Sequence, residues 1–128
     1  MTQKDIKLSK VGVIMLGVRD LKKSVAFYRD VLGLTASGVV ESLAFFSAGG
    51  VTLVLRQVDG LEEGDERRTE VVFAVDDVQA AHQSLKARGV RFRVEPRPVA
   101  GDQHAADFRD PDNHVLSIFG PSSTSRRP

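Results

Sequence analysis

The stretch that decides the fold is Val11-Gly-Val-Ile-Met-Leu-Gly-Val18, then Arg19-Asp20-Leu21, then Lys22-Lys-Ser-Val-Ala-Phe-Tyr-Arg-Asp-Val-Leu-Gly-Leu34. Val11 to Val18 is apolar and partly β-branched, which suits a strand covered on both faces. Asp20 can cap the following helix, since its carboxylate can accept hydrogen bonds from the free amides of the first turn. Leu21, Val25, Tyr28 and Leu32 recur three or four apart, with Val31 beside them, and mark one helix face. Gly33 stands where a left-handed residue closes a helix.

Outward from this unit the punctuation is clear. Leu34 to Val40 reads as a strand weakened or bulged at Gly38. Glu41-Ser42 turns into a strand from Leu43 to Ser47, and Ala48-Gly49-Gly50 signals a hairpin. Val51 to Val58 is a fourth strand. Residues 59–68 are rich in acids, arginines and glycine and read as a solvated linker. A second series then starts. Glu70 to Val75 is a strand, Asp77 caps a helix from Val78 to Arg88, and Gly89 ends it. Strands follow at Val90 to Glu95, Gln103 to Arg109 and His114 to Phe119. Pro96 to Gly101 forms a loop, and Asp110-Pro111-Asp112-Asn113 a turn. On the second helix Val78, Ala81, Leu85 and Arg88 mark the inner side, which leaves His82 facing solvent.

Val18-Arg19-Asp20-Leu21 is matched by Val75-Asp76-Asp77-Val78, and a glycine closes both helices. The chain therefore reads as a duplicated βαβββ module. The class is α+β: two tandem βαβββ modules forming a half-open barrel with helices outside and a cavity within. One domain is expected over 11–120, with module one at 11–58, the linker at 59–68 and module two at 69–120. Tails at 1–10 and 121–128 are expected to be flexible.

Composition narrows the function classes. The 128 residues and 14.0 kDa suit one domain, and 41% hydrophobic residues suffice for a core. A net charge of +1 offers no reason to expect nucleic acid or an anionic membrane as partner. The absence of cysteine excludes disulfides and thiolate chemistry and agrees with a cytoplasmic setting. No apolar run approaches the roughly 20 residues of a membrane span, and no secretory signal opens the chain.

The apolar strand, the Val18-Arg19-Asp20-Leu21 cap, Ser24, Phe27-Tyr28, Val31-Leu32-Gly33-Leu34, Val75-Asp76-Asp77-Val78 and the closing Asp110-Pro111-Asp112 with Leu116-Ser117-Ile118 together resemble the vicinal oxygen chelate superfamily. That superfamily contains glyoxalase I, extradiol dioxygenases, fosfomycin resistance enzymes, methylmalonyl-CoA epimerase and bleomycin resistance proteins. The resemblance spans about Val11 to Pro121. It implies that the enzymatic members hold a divalent metal in the barrel, and that family members often pair as homodimers. The four ligand positions it implies fall here on Val13, Val54, Glu70 and Ser117. Strand alternation supports that placement: Glu70, Val72 and Ala74 share one face of their strand, as do Ser117 and Phe119, and as do Thr52, Val54 and Arg56.

A catalytic divalent ion needs about three carboxylate or imidazole donors. Val13 and Val54 have none, so no metal and no other cofactor is expected. The expected function is metal-independent binding of a small organic ligand in an apolar cavity, by analogy with bleomycin resistance proteins. The lining is expected from Val13, Met15, Phe45 or Phe46 (Phe46 being preferred), Val54, Arg56, Glu70, Val72, Ser117 and Phe119. Arg56 is either an anchor for an anionic ligand or the partner of Glu70. Glu70 is also the candidate base in the alternative reading, a lyase, isomerase or dioxygenase of the same superfamily. A metal cluster of Glu70, His104 and Asp107 is a further alternative without support from spacing. A third reading is a small interaction subunit whose cavity is filled by side chains.

Overall fold

A computed structural model describes residues 7–123. The chain divides into two compact units: Gly12–Val71, and Val72 onward together with the segment through Val11. Among the described residues there are eight strands and two α-helices, in the α+β class expected.

The Gly12–Val71 unit is built on β1 (Val11–Val18), α1 (Leu21–Ala26), β2 (Thr35–Val40), β3 (Leu43–Ala48) and β4 (Val51–Gln57). Its strands lie in the order β2-β3-β4-β1, with β1 and β4 parallel and the other neighbours antiparallel. Asp20 caps α1 by accepting from the Lys23 amide at 3.2 Å. Leu21 and Val25 of α1 pack with Ala44, Phe46 and Leu55 on one sheet face, flanked by Leu16, Val18 and Tyr28. Burial of these side chains is the main stabilising term in this unit. The Gly38 bulge is present as a register shift between β2 and β3.

Here the helix departs from the spacing of its sequence. After Ala26 the backbone widens into a π-helical turn, Phe27–Val31, and the Leu32 amide donates to the Phe27 carbonyl at 3.0 Å. A π turn carries more residues than an α turn, so positions four apart no longer align. Val31 and Leu32 rotate outward, to 70% and 53% exposure, instead of continuing the inner stripe. Gly33 then takes a left-handed φ of 80°, as its position predicts.

The linker at 59–68 is less solvated than its composition implies. Leu61 is buried, its carbonyl accepts from Arg19 Nε at 2.7 Å, and the segment ends in a 3₁₀ turn, Glu66–Arg68. Asp65 caps that turn, and its side-chain bond to Arg67 holds its carboxyl well below the usual range.

The second unit contains β5 (Thr69–Ala74) from Val72 on, α2 (Val78–Ala87), β6 (Phe92–Ala100), β7 (Gln103–Arg109) and β8 (Val115–Pro121), with strand order β5-β8-β7-β6. Asp77 caps α2 by accepting from the Gln79 and Ala80 amides. Val78, Ala81 and Leu85 pack with Ala106, Phe108 and Ile118. His82 is buried rather than solvent-facing. Its ring lies 4.5 Å from that of Phe92, and its Nε2 is 2.9 Å from Glu95 Oε1.

Phe92–Ala100 is one strand, not a strand and a loop. β6 is the edge strand of this unit, so Pro96 and Pro98 can sit in it where no ladder donor is needed, and three register shifts absorb the irregularity. The inner parts of both expected tails are structured as well. Leu8 packs on the α2 core, Lys10 accepts from the Ala74 amide at 2.9 Å, and the Ser123 amide donates to Asp77 at 3.1 Å. Residues 1–6 and 124–128, the outer parts of those tails, lie outside the described residues. No helix among the described residues is long and apolar enough to cross a membrane.

Candidate functional site

Each unit covers one sheet face with its helix and leaves the other face free of it. In the Gly12–Val71 unit Leu16 and Val18 lie under α1, so alternation turns Val13, Met15 and Gly17 to the opposite face. Strand register extends that face. Met15 is paired with Val54, and Val54 with Phe45. Val13 is paired with Thr52, and Gly17 with Arg56, which in turn faces Leu43. The result is an apolar face of half-buried Val13, Met15, Leu43 and Phe45 around a buried Val54, with one guanidinium at its edge.

Phe46 does not belong to it. Phe46 is fully buried beneath α1, its ring 6.0 Å from that of Tyr28. Its neighbour Phe45 takes the place on the helix-free face, because Phe45 and not Phe46 is in register with Val54.

Gly17 is required where it stands. A Cβ there would run into the backbone carbonyl of Arg67, so the 3₁₀ turn crosses this face at the Arg56 end. Arg56 itself is half-buried, and among the described residues its Nε is buried without a hydrogen-bond partner. Glu70, near the start of β5, is half-buried too.

In the second unit Phe73, Leu116 and Ile118 pack with α2. Val72, Ser117 and Phe119 are therefore turned to the helix-free face, where alternation puts them. Ser117 is paired with Asp107, and Phe119 with Ala105. Asp107 lies between two arginines, 3.4 Å from Arg97 Nη1 and 3.9 Å from Arg109 Nη1. This Arg97–Asp107–Arg109 cluster escaped the sequence reading because β6 looked broken by its prolines. The i, i+2 spacing of Asp107 and Arg109 was the available signal.

His104 stays near its turn, with Nδ1 3.2 Å from the Asp102 carbonyl, and Asp110 shapes the next turn by accepting from the Asp112 and His114 amides. The four positions implied for a metal do not fit a divalent ion: Val13 and Val54 offer no donor atom, and Ser117 offers only a hydroxyl. Among the described residues, no group of three or more His, Asp or Glu side chains is placed to hold one.

Comparison with known proteins agrees with this architecture. The family model described as Glyoxalase/Bleomycin resistance protein/Dioxygenase superfamily matches residues 10–118. The uncharacterized protein YraH of Bacillus subtilis is 31% identical over 124 residues, covering 86% of this chain and 97% of its own. A probable lactoylglutathione lyase of Vibrio cholerae is 31% identical over 118 residues, covering 82% of this chain and 86% of its own. Among solved structures, methylmalonyl-CoA epimerase from Mycobacterium tuberculosis shares the fold with a TM-score of 0.71 at 17% identity, covering 92% of this chain and 91% of that one.

Proposed function

The chain belongs to the Glyoxalase/Bleomycin resistance protein/Dioxygenase superfamily, and from that membership we propose that it is a metal-independent binding protein for a small organic molecule. One observation carries the reading: Val13 and Val54, two of the four positions that the family resemblance implies for metal ligands, share an apolar helix-free face. With no donor at Val13 or Val54, the single carboxylate of Glu70 cannot hold a divalent ion against water. The same face supplies what a small ligand uses. Phe45 offers stacking area and Met15 an adaptable, polarizable contact. On the other unit Val72 and Ser117 are buried and Phe119 is half-buried.

Two measurements test this. Protein purified without chelator is expected to carry far less than one equivalent of nickel, zinc, iron or manganese by plasma mass spectrometry. Near-stoichiometric metal overturns metal independence. Small aromatic compounds are expected to raise the melting temperature by mass action, and Met15→Asp, at a half-buried position, is expected to remove that response by placing a charge in the apolar face. No response to any compound overturns ligand binding.

A second reading draws on the similarity to a probable lactoylglutathione lyase and on the half-buried Glu70. It makes the chain an enzyme with Glu70 as base. Turnover of lactoylglutathione that Glu70→Gln abolishes would establish it in place of the binding role.

A further inference from the structure

We propose that Arg56 anchors an anionic group, a carboxylate or a phosphate, on the ligand held by the helix-free face of the Gly12–Val71 unit; the proposal rests on the ligand-binding reading above and gives that ligand a chemical class. Arg56 is the one charged residue in the rows of paired residues that make up this face. Its neighbours in register are Gly17 and Leu43, and the adjoining row is Met15, Val54 and Phe45. A buried donor left without an acceptor destabilises the fold unless a ligand supplies the acceptor. Among the described residues the Arg56 Nε is in that position.

Other arginines of the molecule are used differently. Arg29 is 2.8 Å from Asp30, Arg67 is 2.6 Å from Asp65, and Arg97 is 3.4 Å from Asp107. Each of these cations has a carboxylate nearby within its own unit. Arg56 has instead an apolar surface beside it. That combination is what an amphipathic anion requires. A flat apolar body lies on the half-buried Met15 and Phe45, and its acidic end meets the planar fork of the guanidinium, which matches carboxylate and phosphate oxygens two at a time.

The test uses matched probes on the full chain in thermal-shift and calorimetric titrations: benzoate, phenyl phosphate and the neutral isostere benzamide. Benzoate or phenyl phosphate is expected to bind about tenfold or more tightly than benzamide, the order expected of a charge-assisted contact. Which of the two anions leads tells carboxylate from phosphate. Arg56→Gln is expected to abolish the excess while leaving the benzamide response, Arg56→Lys to keep part of it, and Arg97→Gln, on the other unit, to leave it intact. If benzamide binds as well as the anions, or if Arg56→Gln retains the excess, the anchor role is overturned and the binding face stands. If neither the anions nor benzamide nor other neutral aromatics bind, the ligand-binding reading fails and this inference with it.

Discussion

Gly17 shows how one missing methyl group sets local structure. Its Cβ position is occupied by the carbonyl of Arg67, so Gly17→Ala must push the 3₁₀ turn away from β1. We expect that substitution to destabilise the fold by about 1–3 kcal/mol in urea unfolding. Gly50→Ala, whose Cβ would meet nothing within 4 Å, is expected to be neutral within about 0.5 kcal/mol. Asp77 makes a second prediction at this scale. Burial pushes its pKa up, but the amides of Ser123, Ala80 and Gln79 outweigh burial, and the carboxyl lies below its ordinary value. A lowered folded pKa stabilises above the unfolded value, about 3.9 for Asp, and that contribution is lost as pH falls through the folded pKa. Stability should therefore decline below about pH 4, and Asp77→Asn should flatten that decline in acid titrations followed by circular dichroism. Adjacent phenylalanines illustrate the limit of reading residues singly. Phe45 and Phe46 are chemically identical, and only their register against β4 separates a core ring from a surface one.

At the scale of elements, α1 and α2 come from the same instructions and end differently. Both have an aspartate cap and a glycine stop, and both bury the expected leading residues, Leu21 and Val25 or Val78, Ala81 and Leu85. The π turn then rotates Val31 and Leu32 away from the core. Leu32→Lys is thus expected to change stability by less than about 0.5 kcal/mol, whereas Leu85→Ala is expected to cost about 2–5 kcal/mol. Equal losses in the two variants, read from denaturant midpoints at constant m, would show that Leu32 packs inward after all. His82 has a parallel lesson. It stands four residues after Val78 and three before Leu85, inside the buried stripe, so its helical position carried the information that its polarity obscured.

The whole molecule repeats one βαβββ plan in two compact units, and the repeat was legible from Val18-Arg19-Asp20-Leu21 and its echo at Val75. At this scale we predict a homodimer, the association common in the superfamily. Sedimentation equilibrium is expected to give twice the 14.0 kDa of one chain, and a mass of one chain would refute it. A net charge of only +1 leaves little repulsion to oppose that association. The sequence by itself determined the order of elements, both caps, both glycine stops, the hairpin at Gly49-Gly50 and the faces of β1, β5 and β8. These are local signals, written in the conformational preferences of a few consecutive residues and in a period of two or nearly four. Only the tertiary structure decided that Phe45 and not Phe46 joins Val54, that Pro96 and Pro98 lie within an edge strand, that Asp107 stands between Arg97 and Arg109, and that the Arg67 carbonyl rests on Gly17. Those outcomes depend on pairing register and close approach between segments far apart in the chain, and no short window of sequence holds both partners of such a contact.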